Sequence, residues 1–380
     1  MKLHIHHTRF TALVLLVYCL MRCTTQENAV VTGGGFELEP GFTIELIASE
    51  PLISDPVDME IDEFGRLYVV EMHGYPLDKS GSGKIKLLSD SNGDGKFDKS
   101  TVFAESLVLP NSIMRWKQGV IVTDAPNVLY FEDTDGDGKA DIRDTLLTGF
   151  ALSNPQHNLS SPLLATDNWI YLAHEGAVGT DTYKAEFGDR GGEIFFPGVP
   201  NGPRLPVNAG GRSVRFQPDH HTLEMTSSHS QFGHSFDEWG HHLEVGNADH
   251  IFQEMIAETY VSRNRYVTVS DATQNLSDHG EAAEVFPITQ NPQHQLLTDV
   301  GVITSACGIT AYNGRAFPPA YNNAVFVCEP VSNLIHVDSL EPHGTSFIAS
   351  RMRPTQNFWL QPTLSSGLSI FMSVPMEPSM

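Results

Sequence analysis

The sequence predicts an all-β fold, a β-propeller of about six blades whose last blade is incomplete, and three observations predict it. The 380 residues include 32 Gly and 23 Pro, which interrupt the chain too often for long helices. Short runs of alternating apolar and polar residues recur, each bounded by Gly, Asp or Asn. An internal repeat also has the length of one four-stranded blade, and such units must stack to bury their faces. A β-sandwich with long loops is the architectural alternative.

Taken in order, residues 1–22 read as an export signal. Lys2 and Arg9 precede an apolar stretch, Thr11–Met21, that falls short of the roughly 20 residues a bilayer span needs but suits a signal core. Cys23 follows as a candidate for lipid attachment. The protein is therefore expected to be exported, periplasmic or at the cell surface, and to meet a membrane only through that anchor. Residues 23–39 read as a linker, 40–353 as the propeller and 354–380 as a tail of different character. Strand-like runs within the propeller are Gly41–Ala48, Gly65–Val70, Gly119–Val122, Trp169–Ala173 and Ala324–Cys328.

Composition narrows the function classes. The formal charge is −23, and it is more negative still without the leader's Lys2, Arg9 and Arg22. A polyanion of this size repels phosphate backbones, which excludes nucleic acid as a partner. No G-x-S-x-G elbow, Walker loop or dinucleotide fingerprint occurs in a usable setting. Cys19 and Cys23 lie in the leader, leaving Cys307 and Cys328 for the body. In an oxidising compartment the expectation is a disulfide between neighbouring strands, with two buried thiols as the alternative.

The repeat carries the metal candidates. Asp90, Asn92, Asp94 and Asp98 form one oxygen-rich loop with glycine at its sixth position. Asp133, Asp135, Asp137 and Asp141 form the second, 43 residues on. Ca²⁺ takes about six to eight hard oxygens, and the glycine lets the backbone fold around the ion. Asp144 stands at position 12 of the second loop, where a bidentate acid is wanted, and the first loop has Thr101 there. An Asp-Gly hairpin turn without an ion is the competing reading.

Seven histidines (His220, His221, His229, His234, His241, His242 and His250) crowd one stretch. No metal-ligand spacing links them, so they are expected to be solvated loop residues. His157, in Asn154-Pro-Gln-His-Asn158, precedes a strand and so falls where propeller loops meet at the channel mouth. A neutral imidazole there suits a general base for a hydroxyl proton, although a plain turn residue fits the same pattern.

Several segments taken together resemble a known family. They are Phe42–Pro51, Asp58–Val70, the two Asp-Gly-Asp-Gly-Lys loops, Thr304–Thr310 and Phe326–His336. The resemblance, over about residues 38–353, is to the PVC-type haem-binding CxxCH proteins, also catalogued as membrane-bound dehydrogenases. It implies a propeller related to the soluble sugar dehydrogenases that use pyrroloquinoline quinone. Helical repeats and a cytochrome c module carrying haem c would follow in a longer parent chain. By that resemblance His157-Asn158 matches a His-Asn pair whose His is the base. Gln231 stands where an arginine contacts the quinone, and its loss removes a cation that would stabilise reduced quinone. No Cys-x-x-Cys-His occurs in the chain.

The tail departs from the family pattern, with Glu377 as the one charge in residues 354–380. A one-base shift in a possible coding sequence for 357–363 restores a family-like segment. The tail therefore reads as frameshifted near 352–357, ahead of a missing cytochrome module. Two functions follow: a sugar- or alcohol-oxidising propeller that passes electrons to haem, or a Ca²⁺-stabilised propeller that binds carbohydrate or protein without chemistry.

Overall fold

The computed structural model describes residues 30–31, 36–177, 184–264, 266, 269, 271–287 and 301–360. The signal segment, Cys23 and residues 361–380 lie outside the described residues. Two short strands come first, β1 (Val30–Val31) and β2 (Glu37–Leu38). Sheet one follows as β3 (Pro56–Ile61), β4 (Leu67–Glu71), β5 (Gly83–Ser89) and β6 (Lys99–Leu107). Sheet two holds β7 (Ser112–Trp116), β8 (Gly119–Asp124), β9 (Asn127–Glu132) and β10 (Ile142–Thr148). Sheet three begins with β11 (Ser160–Leu164) and β12 (Ile170–Ala173). A hairpin, β13 (Glu193–Phe195) and β14 (Arg204–Val207), then leaves to extend the β10 edge of sheet two. The chain returns to sheet three as β15 (Val214–Gln217) and β16 (Thr222–Met225).

Sheet four is β17 (His234–Phe236), β18 (His242–Glu244), β19 (Phe252–Glu254) and β20 (Thr273–Asn275). Sheet five comprises β21 (Cys307–Ala311), β22 (Ala324–Glu329), β23 (Leu334–His343), β24 (Ser346–Arg351) and β25 (Trp359–Leu360), with β25 pairing both β23 and β2. All ladders between these strands are antiparallel. The described residues thus show five sheets, whose first strands begin farther apart in sequence than the 43-residue repeat. The chain from 354 joins sheet five as far as 360. Phe358 is buried, and Asn357 Nδ2 donates to the Phe286 carbonyl at 3.0 Å.

The sheets form a propeller, with the first strand of each nearest the next. β3 lies beside β7, β7 beside β11, and β17 beside β21. Hydrogen bonds tie these strands together. Asp58 Oδ2 accepts Ile113 N–H at 2.8 Å, and Asn111 Nδ2 donates to Leu159 O at 2.9 Å. His234 Nε2 donates to Ser161 O at 2.7 Å, and Ala311 N–H to Ser235 Oγ at 3.0 Å.

Packing explains why strands such as Val120-Ile-Val122 are apolar without interruption: both faces of a middle sheet are buried. Val120 and Val122 join a core with Tyr68, Ile85 and Phe103 of sheet one, whereas Ile121 joins Leu172, Val214 and Phe216 of sheet three. Each fully buried Phe of this kind contributes roughly 1.5–3 kcal/mol. Sheets four and five share Leu243, Ile309, Val325 and Val327. Sheets three and four meet through rings instead, with Tyr171 4.9 Å from Phe236 and 5.3 Å from His242. Residues 36–53 run from one core to another: Phe42 packs on sheet five, and Leu52 and Ile53 on sheet one.

A second device recurs at the end of the second strand. Glu71 accepts Ser54 N–H at 2.8 Å, Asp124 accepts Leu109 N–H at 2.8 Å, and Glu329 accepts Ser305 N–H at 2.9 Å. In each case a buried carboxylate satisfies amides of the linker entering the same sheet, donors that no ladder reaches. His174, just after β12, stands at the corresponding place in sheet three.

Candidate functional site

The linker into sheet three is shaped by Asn154 and Pro155. The Asn154 side chain accepts Gln156 N–H at 3.2 Å and Pro155 opens a 3-10 turn, Pro155–His157, so the local sequence presents His157 at the turn's end. The imidazole Nδ1 is bound to Glu175, two residues beyond β12, and both side chains are largely buried. Neighbours come from three sheets. Gln156 Nε2 donates to the Tyr75 hydroxyl at 2.7 Å, and Gln231 Nε2 donates to the Gln156 carbonyl at 3.3 Å. The structure therefore brings Gln231, 74 positions away in sequence from His157, to the turn that carries it.

Asn158 is buried, with Oδ1 accepting Ser153 N–H at 3.1 Å. Asn208 Oδ1 accepts Ala151 N–H at 2.9 Å, and its neighbour His174 donates Nδ1–H to Arg212 O at 2.9 Å. Burial holds His174 below the ordinary histidine range. Three buried amide atoms in this group, Asn158 Nδ2, Asn208 Nδ2 and Gln231 Oε1, have no hydrogen-bond partner. Such atoms are costly in an interior.

Chemically, a carboxylate on Nδ1 selects the tautomer whose Nε2 is basic and holds the ring in place. The residues present do not fit a tricarboxylate quinone. Gln231 brings no charge, Lys79 is engaged with the Leu152 and Glu186 carbonyls, and Arg212 pairs with Glu258 at 2.5 Å. Sequence reasoning missed Glu175, Asn208 and Tyr75. Glu175 had a readable sign, an acid two residues beyond the predicted strand Trp169–Ala173. Asn208 and Tyr75 had none.

The two Asp-rich loops occupy the same place in successive sheets, between β5 and β6 and between β9 and β10. Asp90 accepts Gly93 N–H at 2.6 Å and Gly95 N–H at 2.7 Å, and Asp133 accepts Gly136 N–H at 2.7 Å and Gly138 N–H at 2.9 Å. Gly136 and Gly138 have φ of 82° and 85°, a region that favours glycine. Asp98 and Asp141 fold back onto Ser91 and Thr134, and these amide bonds hold both carboxyls below the usual range. Asp133, Asp135 and Asp141 offer oxygens within 4.8 Å of one another, a hard-oxygen set that fits Ca²⁺. Asp137 caps Lys139 N–H at 2.8 Å, and Asp144 lies in β10 opposite Tyr130, so neither belongs to that group. Asp94 likewise caps Lys96 N–H at 3.0 Å, while Asn92 Nδ2 reaches Asp98 at 3.3 Å.

Two expectations are corrected. The crowded histidines are not all solvated: His234, His242 and His250 are buried because β17, β18 and the entry to β19 carry them between sheets. Cys307 and Cys328 stand opposite each other in register on β21 and β22, yet no disulfide joins them. The ladder shifts register just beyond Cys307, at Gly308 with φ of 60°.

Residues 32–362 match the family described as a domain of unknown function (DUF7133), and the chain belongs to it. No curated protein matches the sequence. Among solved structures, the chain is similar to the pyrroloquinoline-quinone-bound aldose sugar dehydrogenase of Streptomyces coelicolor, at 12% identity and a TM-score of 0.40, covering 84% of each chain. It is also similar to a calcium structure of the Trichoderma reesei carbohydrate-active enzyme of family AA12, at 12% identity and 0.40, covering 90% of this chain and 89% of that one. A third is an auxiliary nutrient binding protein from Bacteroides thetaiotaomicron, at 11% identity and 0.42. That match covers 77% of this chain and 56% of the other. These are likenesses of fold.

Proposed function

We propose that this propeller is the substrate-binding part of an exported oxidoreductase that acts on a hydroxyl group of a sugar or alcohol. The observation that supports it is the His157–Glu175 pair beside three unpartnered buried amide atoms. A polyol hydroxyl brought to this turn would give its proton to His157 while Glu175 orients the ring. Completing the oxidation would require a two-electron acceptor beside the bound hydroxyl to take the hydride from the carbinol carbon, with the haem of a cytochrome c module in a longer parent as the later one-electron acceptor. Ca²⁺ at Asp133, Asp135 and Asp141 would order the outer loop of sheet two without touching the reacting hydroxyl. The N-terminal segment supports export, with Cys23 as the lipid anchor.

The uncharged Gln231 favours a second reading, recognition of carbohydrate without turnover. A dye-linked dehydrogenase assay on a panel of sugars and alcohols, with Ca²⁺ and with and without added quinone, separates the two. Turnover is expected to vanish in His157→Ala; turnover that survives it eliminates the proposed base. Wild-type binding of a sugar by calorimetry, with no turnover under any acceptor, establishes the second reading.

A further inference from the structure

A separate cluster lies between sheets four and five. His250 stands just before β19 and His279 four residues after β20, in the loops flanking these strands of sheet four, while His336 and Asp338 lie on β23 of sheet five. His336 and Asp338 are two apart on one strand, so their side chains share a face. His250 Nε2 is 3.0 Å from Asp338 Oδ2, and His336 Nε2 is 2.9 Å from Asp338 Oδ1. His279 Nε2 lies 3.3 Å from His336 Nε2 and 3.7 Å from Asp338 Oδ1. All four groups present a ligand atom within 4.8 Å of the others.

A tetrahedral ion with bonds of about 2.0–2.1 Å has ligand–ligand edges of about 3.3–3.4 Å, within the spread of these separations. The surroundings also match. His279 Nδ1 is 2.8 Å from Asp278 Oδ1, and Ser350 Oγ donates to Asp278 Oδ2 at 2.6 Å. That chain fixes the tautomer of His279 and turns its Nε2 lone pair toward the other ligands, the carboxylate–histidine arrangement typical of metal centres. His250, His336 and Asp338 have side chains no more than 2% exposed, and His279 is the one open side at 15%.

We propose that His250, His279, His336 and Asp338 bind a divalent first-row transition ion in tetrahedral geometry, Zn²⁺ by its ligand preference, which clamps sheet four to sheet five. Imidazole and carboxylate suit such ions, and four protein ligands close the coordination shell, as in structural rather than catalytic sites. The centre shares no residue with the His157 site or the Asp-rich loops.

The test uses the full chain, stripped with a chelator and reloaded with Zn²⁺ or Co²⁺. Wild type is expected to retain stoichiometric metal after dialysis, to show the intense visible bands of tetrahedral Co²⁺, and to melt at higher temperature when loaded. His279→Ala, at the most exposed ligand, should lose all three properties, and His220→Ala, an exposed histidine outside the cluster, should keep them. Asp278→Asn contacts no ion, so a folded protein is expected whose metal affinity falls about 10–100-fold. Wild type that retains no metal, shows no Co²⁺ bands and melts unchanged overturns the proposal in favour of a network of shared protons. Retention undiminished in both His279→Ala and Asp278→Asn overturns it as well.

Discussion

Asp124→Ala probes the straps that hold each sheet to its incoming linker. The Asp124 carboxylate is buried and accepts Leu109 N–H at 2.8 Å and Val108 N–H at 3.0 Å. Truncation strands two amide donors beside a buried strand, at about 1–3 kcal/mol each, or about 2–6 kcal/mol together. Part of this is offset, because burial already pushes the Asp124 carboxyl upward and its removal relieves that desolvation. The expected loss is about 2–4 kcal/mol, a large share of a typical stability of about 5–15 kcal/mol. Asp124→Asn keeps one acceptor oxygen, and Oδ1 alone accepts from both amides, so it should cost no more than about 1 kcal/mol. Urea unfolding followed by near-UV circular dichroism, with the slope unchanged, measures both. An alanine variant within about 0.5 kcal/mol of wild type, or an asparagine variant as unstable as the alanine one, would refute the reasoning.

Asp58 gives a pH dependence, since burial pushes its carboxyl up to about 8. Between about pH 4, where an unfolded Asp ionises, and pH 8, the folded state keeps a proton that the unfolded chain has lost. Wild type should therefore lose stability relative to Asp58→Asn as pH rises through that window, and parallel melting curves would show that the carboxyl ionises normally. Ca²⁺ at millimolar concentration should raise the melting temperature, and Asp133→Asn should abolish the rise; no shift in wild type leaves both loops as turns. Gln231→Arg restores a cation and is expected to show pyrroloquinoline quinone binding in a fluorescence titration where wild type shows none. Identical titration curves would place that side chain away from any quinone.

Much of the strand pattern was legible. Gly65–Val70, Gly119–Val122 and Ala324–Cys328 appear as β4, β8 and β22, because alternation and glycine boundaries are local properties of the backbone. The 43-residue repeat was legible for the same reason: both acidic loops join the third and fourth strands of consecutive sheets. The candidate site was legible only in part. The turn carrying His157 is encoded by Asn154-Pro155 beside it, whereas Glu175 and Gln231 reach it through strands of two different sheets.

The sequence by itself determined the all-β class, the spacing of the two acidic loops, the acidic character and the turn that displays His157. Those follow from short-range periodicity, charge and turn chemistry. Tertiary structure alone decided that His250, His279, His336 and Asp338 converge, that the two cysteines stand opposite each other on β21 and β22, and that strands from both ends of the chain share sheet five. The reason is that ring geometry sets the distances between sheets. Which residues meet across them depends on the register and stacking of strands far apart in the chain, and no local pattern records that.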